Sequence, residues 1–167
     1  MIFLSSQCFF SDPFFIKEAD LDVLKELKDP TKQKRMAQNK AAQQYKKALE
    51  TASKNLKILS DAGVSIAFGT DSGPPARFQG YFEYIEMDLM AKAGLGPYQI
   101  LLSATGNAAR CLQLYEVGTL SAGKWADFNV FTKSPWENIS NTRSLESVWV
   151  AGNRVPARDM PTNLPTS

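Results

Sequence analysis

The sequence predicts an α/β protein that passes into a small antiparallel β appendage, and three observations carry the prediction. Two brief, continuous apolar runs, residues 2–10 and 64–69, are bounded by turn residues and are too short for helices. The segments between and after them place apolar residues at steps of three and four, the period of a one-sided helix. Beyond Tyr115 the texture changes to short β-like runs divided by Gly, Ser and Pro turns.

Taken in order, MIFLSSQCFF reads as a buried strand that ends at Ser11-Asp12-Pro13, and a short helix follows around Glu18 to Lys28. Asp29-Pro30-Thr31 breaks and restarts the chain, with Thr31 as a candidate N-cap. One long helix is expected from Lys32 to Ala62, its apolar stripe formed by Ala41, Tyr45, Ala48, Leu49, Ala52, Leu56 and Leu59, with Gly63 as the stop. Its many lysines read as a solvated face, because Lys46 and Glu50, Glu50 and Lys54, and Lys57 and Asp61 are each spaced for pairing along a helix. Val64 to Gly69 is the second buried strand, and the loop after it lacks the pattern of a phosphate-binding P-loop. A helix from Tyr81 to Ala93 closes at Gly94, Pro97 suits the first turn of the next helix, and a further short helix spans Asn107 to Leu114. The appendage strands are Val117–Leu120, Asp127–Phe131, Leu145–Val150 and Arg154-Val155. The chain thus divides into residues 1–115, residues 116–156 and a loose Pro- and Thr-rich tail, 157–167, without internal repeats.

Composition narrows the function by exclusion. With 167 residues, 44% hydrophobic and 22% charged, the chain has the balance of a soluble globular domain. A formal charge of +2 gives no electrostatic footprint for nucleic acid, and no nucleic-acid-binding motif is present. Cys8 and Cys111 stand far apart and outside any C-x-x-C pair, so they read as buried free thiols in a reducing compartment. The apolar N-terminal run lacks a basic flank and stops at Asp12-Pro13, well short of a membrane span, so a cytoplasmic protein without membrane contact is expected.

The stretch IAFGTDSG ends an apolar run in a tip that offers one carboxylate, Asp71. Local sequence alone favours a turn or helix cap, since Thr-Asp-Ser-Gly is good turn chemistry. Nucleophilic catalysis has little support: the chain contains no histidine to serve Cys8, Cys111 or Ser72 as a base, and TDSG is not a G-x-S-x-G elbow.

Four phrases in order reverse that local preference: VSIAFGTDSG, EMDLMAKAGLGPYQILLSATGNAARCL, VGTLSAGKWADFNVF and SLESVWVAGNRV. Together they resemble the C-terminal part of the metal-dependent amidohydrolase superfamily, in its imidazolonepropionase-like and prolidase-like branch, over residues 56 to 155; residues 1 to 55 agree less sharply. The resemblance implies the last two strands of a TIM-like (β/α)₈ barrel, residues 2–10 as strand seven and VSIAFG as strand eight, plus part of a small β-sandwich. Asp71 would stand at the tip of strand eight, where barrel enzymes place catalytic groups. In the family this aspartate is a metal ligand and general base, in a loop shaped here by Gly69, Thr70, Ser72 and Gly73. The implied cofactor is a divalent metal, zinc foremost, and the implied reaction is hydrolysis of an amide-like C–N bond in a small molecule, a cyclic amide or a dipeptide. Arg77 and Gln79, with Phe78 and Tyr81, follow the loop and would border a substrate, although each also reads as a surface or packing residue.

The remaining family ligands have no counterparts. A His-x-His pair, a bridging lysine or acid and two further histidines belong to strands that this chain does not contain, and one aspartate cannot hold a catalytic metal. Glu83, Glu86 and Asp88 are near in sequence, yet an acidic first half is also what a helix dipole favours on a surface helix. Many relatives carry a histidine near Tyr84. Two strands cannot close a barrel, so self-association, a separate N-terminal half or a rearranged α/β fold must cover the apolar faces. The expectation is the C-terminal portion of a metal-dependent hydrolase, inactive without its N-terminal ligands; the alternative is a non-catalytic assembly or binding module on the same scaffold.

Overall fold

The computed structural model describes residues 12–73 and 79–156. The first predicted strand, Cys8, Arg77 and the predicted tail lie outside the described residues.

Pro13–Glu18 (α1) and Leu21–Lys28 (α2) are separate helices, because Asp20 caps α2 by accepting the amides of Asp22 and Val23. The predicted loop at Pro13 is therefore already helical. At the next break the cap is Asp29 and not Thr31: the Asp29 carboxylate accepts from Thr31 N and Lys32 N, and Pro30 takes the first turn of α3, Pro30–Ala37. The expected long helix is also divided, with Asn39 capping α4, Lys40–Asp61, through the Ala41 amide. Of the three pairings expected on α4, Lys57 with Asp61 forms an ion pair. The helix has no buried residue. Leu56 packs against the core, but Tyr45, Ile58 and Leu59 remain exposed.

Tyr81–Lys92 (α5) ends beside Gly94, and Pro97–Leu102 (α6) begins with proline, both close to the sequence expectation. The helix of α6 widens into a π turn at Ser103–Asn107 before closing as α7, Ala108–Cys111. Apolar side chains cover most sides of α5, as expected for a helix packed on several faces. Tyr81 and Phe82 at its start join Phe15, Ala19 and Leu24 in one core, while Met90 near its end joins Leu95, Ile100 and Ile139 in a second.

Val64–Gly69 is not a strand. Among the described residues no strand lies beside it to supply the ladder of hydrogen bonds that defines a strand. The segment is held otherwise: Phe68 N–H donates to the Ser103 carbonyl at 3.0 Å, and Asn107 Nδ2 donates to the Ile66 carbonyl at 2.9 Å. Ile66 and Phe68 are half-buried against the second core while Val64, Ser65, Ala67 and Gly69 are exposed. The expectation of a strand buried on both faces is thus corrected to a segment packed on one.

The appendage is a three-stranded antiparallel sheet in the order β1 (Phe128–Phe131), β2 (Leu145–Val150), β3 (Asn153–Arg154). Phe128 lies opposite Trp149 in the ladder and stacks on it at 5.5 Å. The run Val117–Leu120, expected as a strand, is irregular instead. Its Gly118 explains why: the residue has φ +83°, and a Cβ there would lie 2.5 Å from Ala109 Cβ and 2.9 Å from the Thr105 carbonyl oxygen. This segment crosses the π turn at a distance only glycine permits.

Replacing Gly118 with alanine combines an unfavourable left-handed backbone with overpacking against fixed backbone atoms. The expected cost is about 2–4 kcal/mol in urea-induced unfolding. A loss below about 0.5 kcal/mol would show that the crossing is not this tight.

Candidate functional site

Asp71 is exposed and has φ +53°, in the left-handed region that Asp tolerates better than most residues. Its neighbours on both sides are tied to α5. Thr70 Oγ1 donates to Glu83 Oε1 at 2.8 Å, and Ser72 Oγ donates to the same oxygen at 2.9 Å. The other carboxylate oxygen, Glu83 Oε2, accepts the Gly80 amide at 2.6 Å, which caps the N-terminus of α5. Ser72 N–H adds a bond to Thr70 Oγ1 at 3.2 Å.

Two hydroxyls and one carboxylate oxygen meet in this cluster. The two hydroxyl oxygens lie 2.6 Å apart and both touch Glu83 Oε1, so two hydroxyl protons face three contacts. Oε1 has lone pairs for both hydroxyl protons, and it accepts them most strongly when the carboxylate is ionised. Burial alone would raise the pKa of Glu83, but hydrogen bonds from Thr70, its own backbone amide, Ser72 and Gly80 outweigh it and hold the group below the ordinary 4.5.

One turn along the same helix, Glu86 has the opposite setting. It lies on the face of α5 shared with buried Phe82 and Met90, and burial raises its pKa above 4.5. Asp88 points to the appendage, where Arg143 grips it through two bonds, Nη2 to Oδ2 at 2.6 Å and Nη1 to Oδ1 at 3.2 Å. The Arg143 guanidinium also lies over the Tyr84 ring, 5.1 Å from its centre. Burial raises the Tyr84 pKa, and the Arg143 charge works against that rise. Thus Glu83, Glu86 and Asp88 do not form a plain solvated face: the first ties the loop, the second is half-buried, and the third docks the appendage.

The remaining candidates separate. Gln79 is exposed in the turn before α5, whereas Tyr81 is buried in the first core and donates from its hydroxyl to Asp12 at 3.0 Å, which makes it a packing residue. Cys111 is a free thiol but is exposed, contrary to the expected burial. Among the described residues no three His, Cys, Asp or Glu side chains gather at metal-binding distance. With no histidine in the chain, these residues do not fit a complete metal centre, and Asp71 offers at most one ligand. No helix among the described residues is long and apolar enough to cross a membrane.

The two glutamates give opposite pH signatures. Glu83, with its folded pKa lowered, contributes stability that is complete above pH 4.5 and is lost as pH falls through the folded value. Glu83→Gln is therefore expected to lower the urea midpoint at pH 7, with the gap closing in acid. Glu86, with its folded pKa raised, disfavours the fold when ionised. Glu86→Gln is expected to raise the midpoint at pH 7, the gain vanishing as pH falls towards 4.5. Equal pH dependence of the two variants would contradict both assignments.

Known proteins resemble part of this chain. The chain is 34% identical over 100 residues to the imidazolonepropionase of Deinococcus deserti, an alignment that covers 58% of this chain and 25% of that protein. Among solved structures it resembles a Xaa-Pro dipeptidase with bound methionine in the active site, with a TM-score of 0.56 and 28% identity over 63% of this chain and 25% of the other. It also resembles phenylurea hydrolase B, with a TM-score of 0.57 and 28% identity over 68% of this chain and 28% of the other. The matched part of the chain thus spans about a quarter of the length of such relatives. The sequence pattern that defines the amidohydrolase family matches residues 10–155, nearly the whole chain. By that match the chain belongs to the amidohydrolase family, whose members generally use divalent metals.

Proposed function

We propose that this chain is the C-terminal portion of a cytoplasmic, metal-dependent hydrolase of C–N bonds in small amide-like substrates, a cyclic amide or a dipeptide. The observation that carries the reading is the GTDSG loop: Asp71 stands between two hydroxyls that Glu83 anchors to α5, within a family match spanning residues 10–155. In this reading Asp71 is both the metal ligand that this chain contributes and the general base. A carboxylate within hydrogen-bond reach of the attacking water takes its proton and later delivers it to the leaving nitrogen. The metal, zinc in this reading, is held mainly by ligands from outside these residues. Arg77 and Gln79 border the substrate. The exposed apolar side chains of α4, Tyr45, Ile58 and Leu59, are covered by the portion that brings those ligands.

A second reading, a self-associating module without catalysis, draws on the lack of histidine and of any metal-binding cluster among the described residues. Supplying the N-terminal portion of a related amidohydrolase in trans separates the two. Restored zinc-dependent hydrolysis of an imidazolone or dipeptide substrate, reduced about 100-fold or more by Asp71→Asn, is the expected result. Persistent inactivity together with a stable homodimer in analytical ultracentrifugation would favour the second reading.

A further inference from the structure

We infer that Glu83 is the positioning residue for Asp71, acting through the Thr70 and Ser72 hydroxyls to hold the aspartate in its left-handed conformation. The inference rests on the reading of Asp71 given above, but the geometry stands by itself. Asp71 has φ +53°, a conformation that costs even Asp some free energy, which its surroundings offset. Glu83 reaches the residue before it and the residue after it with one oxygen, at 2.8 and 2.9 Å, and the start of α5 with the other, at 2.6 Å. Two flanking residues tied to one point leave the central peptide few alternatives. The anchor is itself rigid, since the neighbouring Tyr81 and Phe82 are buried in the first core.

A helix-cap role alone would involve only the Gly80 bond, and two substitutions separate it from positioning. Glu83→Met removes the acceptor of both hydroxyls along with the Gly80 cap, whereas Glu83→Gln keeps the cap and turns an NH₂ donor towards two hydroxyls that can accept from it, so that both ties persist. Thr70→Val removes one tie and leaves the carboxylate cap intact, while Thr70→Ser restores the hydroxyl.

The experiment is NMR on the isotopically labelled 167-residue chain below its unfolding transition, reading the one-bond Cα–Hα coupling and the intraresidue HN–Hα distance of Asp71, with amide exchange of α5 as control. The wild type is expected to show a single left-handed Asp71. Glu83→Met and Thr70→Val are each expected to lose that conformer while the α5 amides beyond its first turn stay protected, Thr70→Ser and Glu83→Gln to retain it, and the Glu83→Met/Thr70→Val double variant to add no further loss. Asp71 remaining left-handed in Glu83→Met, or losing that conformation only when α5 loses protection, would overturn the inference. These readouts need no turnover, so failure of hydrolysis in trans would count against the hydrolase reading alone.

Discussion

The constraint on which this structure depends is that buried backbone must find hydrogen-bond partners even where no sheet exists to supply them. Ile66 and Phe68 sit against the second core, and their peptide groups are met by the helix beside them: the Ser103 carbonyl takes the Phe68 amide, and the Asn107 side chain reaches the Ile66 carbonyl. Both partners belong to the widened turn Ser103–Asn107. That turn therefore does for this segment what a neighbouring strand would do, and the Gly69–Gly73 loop continues from a fixed support. Gly118 packs against Thr105 of the same turn, so the appendage connection and the Asp71 loop share one scaffold.

The acidic residues of α5 divide the remaining labour. Glu83 joins the helix start to the loop, and Asp88 joins its middle to Arg143 of the appendage. Both ties cross between elements distant in sequence, and both are charge-assisted, the stronger sort of hydrogen bond. Between them Glu86 occupies the face that the two cores share. A carboxylate at that position costs stability when ionised, so its presence has no packing rationale in these residues.

What was legible in the sequence was what local chemistry decides. The bounds of α5, the proline start of α6 and β2 at Leu145–Val150 follow from Gly94, Pro97 and the flanking turn residues. The division at Asn39 was readable in principle, since Asn is a strong N-cap, but no Gly or Pro marks the break and the apolar stripe runs through it. Pro30 likewise pointed to Asp29 as the cap, the residue that precedes a proline in the first turn. Val64–Gly69 has the local pattern of a strand, but a strand is defined by partners that a local pattern cannot reveal. For the site, Gly80-x-x-Glu83 carried half of a capping-box signature, which announces the bond to Gly80. The bonds from Glu83 to Thr70 and Ser72 span 13 and 11 residues and have no local signature.

The chain has three tryptophans, and all of them fall after residue 120: Trp125 and Trp136 are exposed, and Trp149 is half-buried on Phe128. Indole emission from this protein is consequently an optical report on the appendage and, through Trp136 stacked on Tyr98 at 5.4 Å, on its seam with α6. The helices that carry the Asp71 loop are silent at those wavelengths and register only in far-ultraviolet dichroism. Superposition of the two signals on denaturation would mean that the grip of Arg143 on Asp88 and the packing of Ile139 in the second core make the pieces one cooperative unit, whereas separated signals would mean that each part melts by itself.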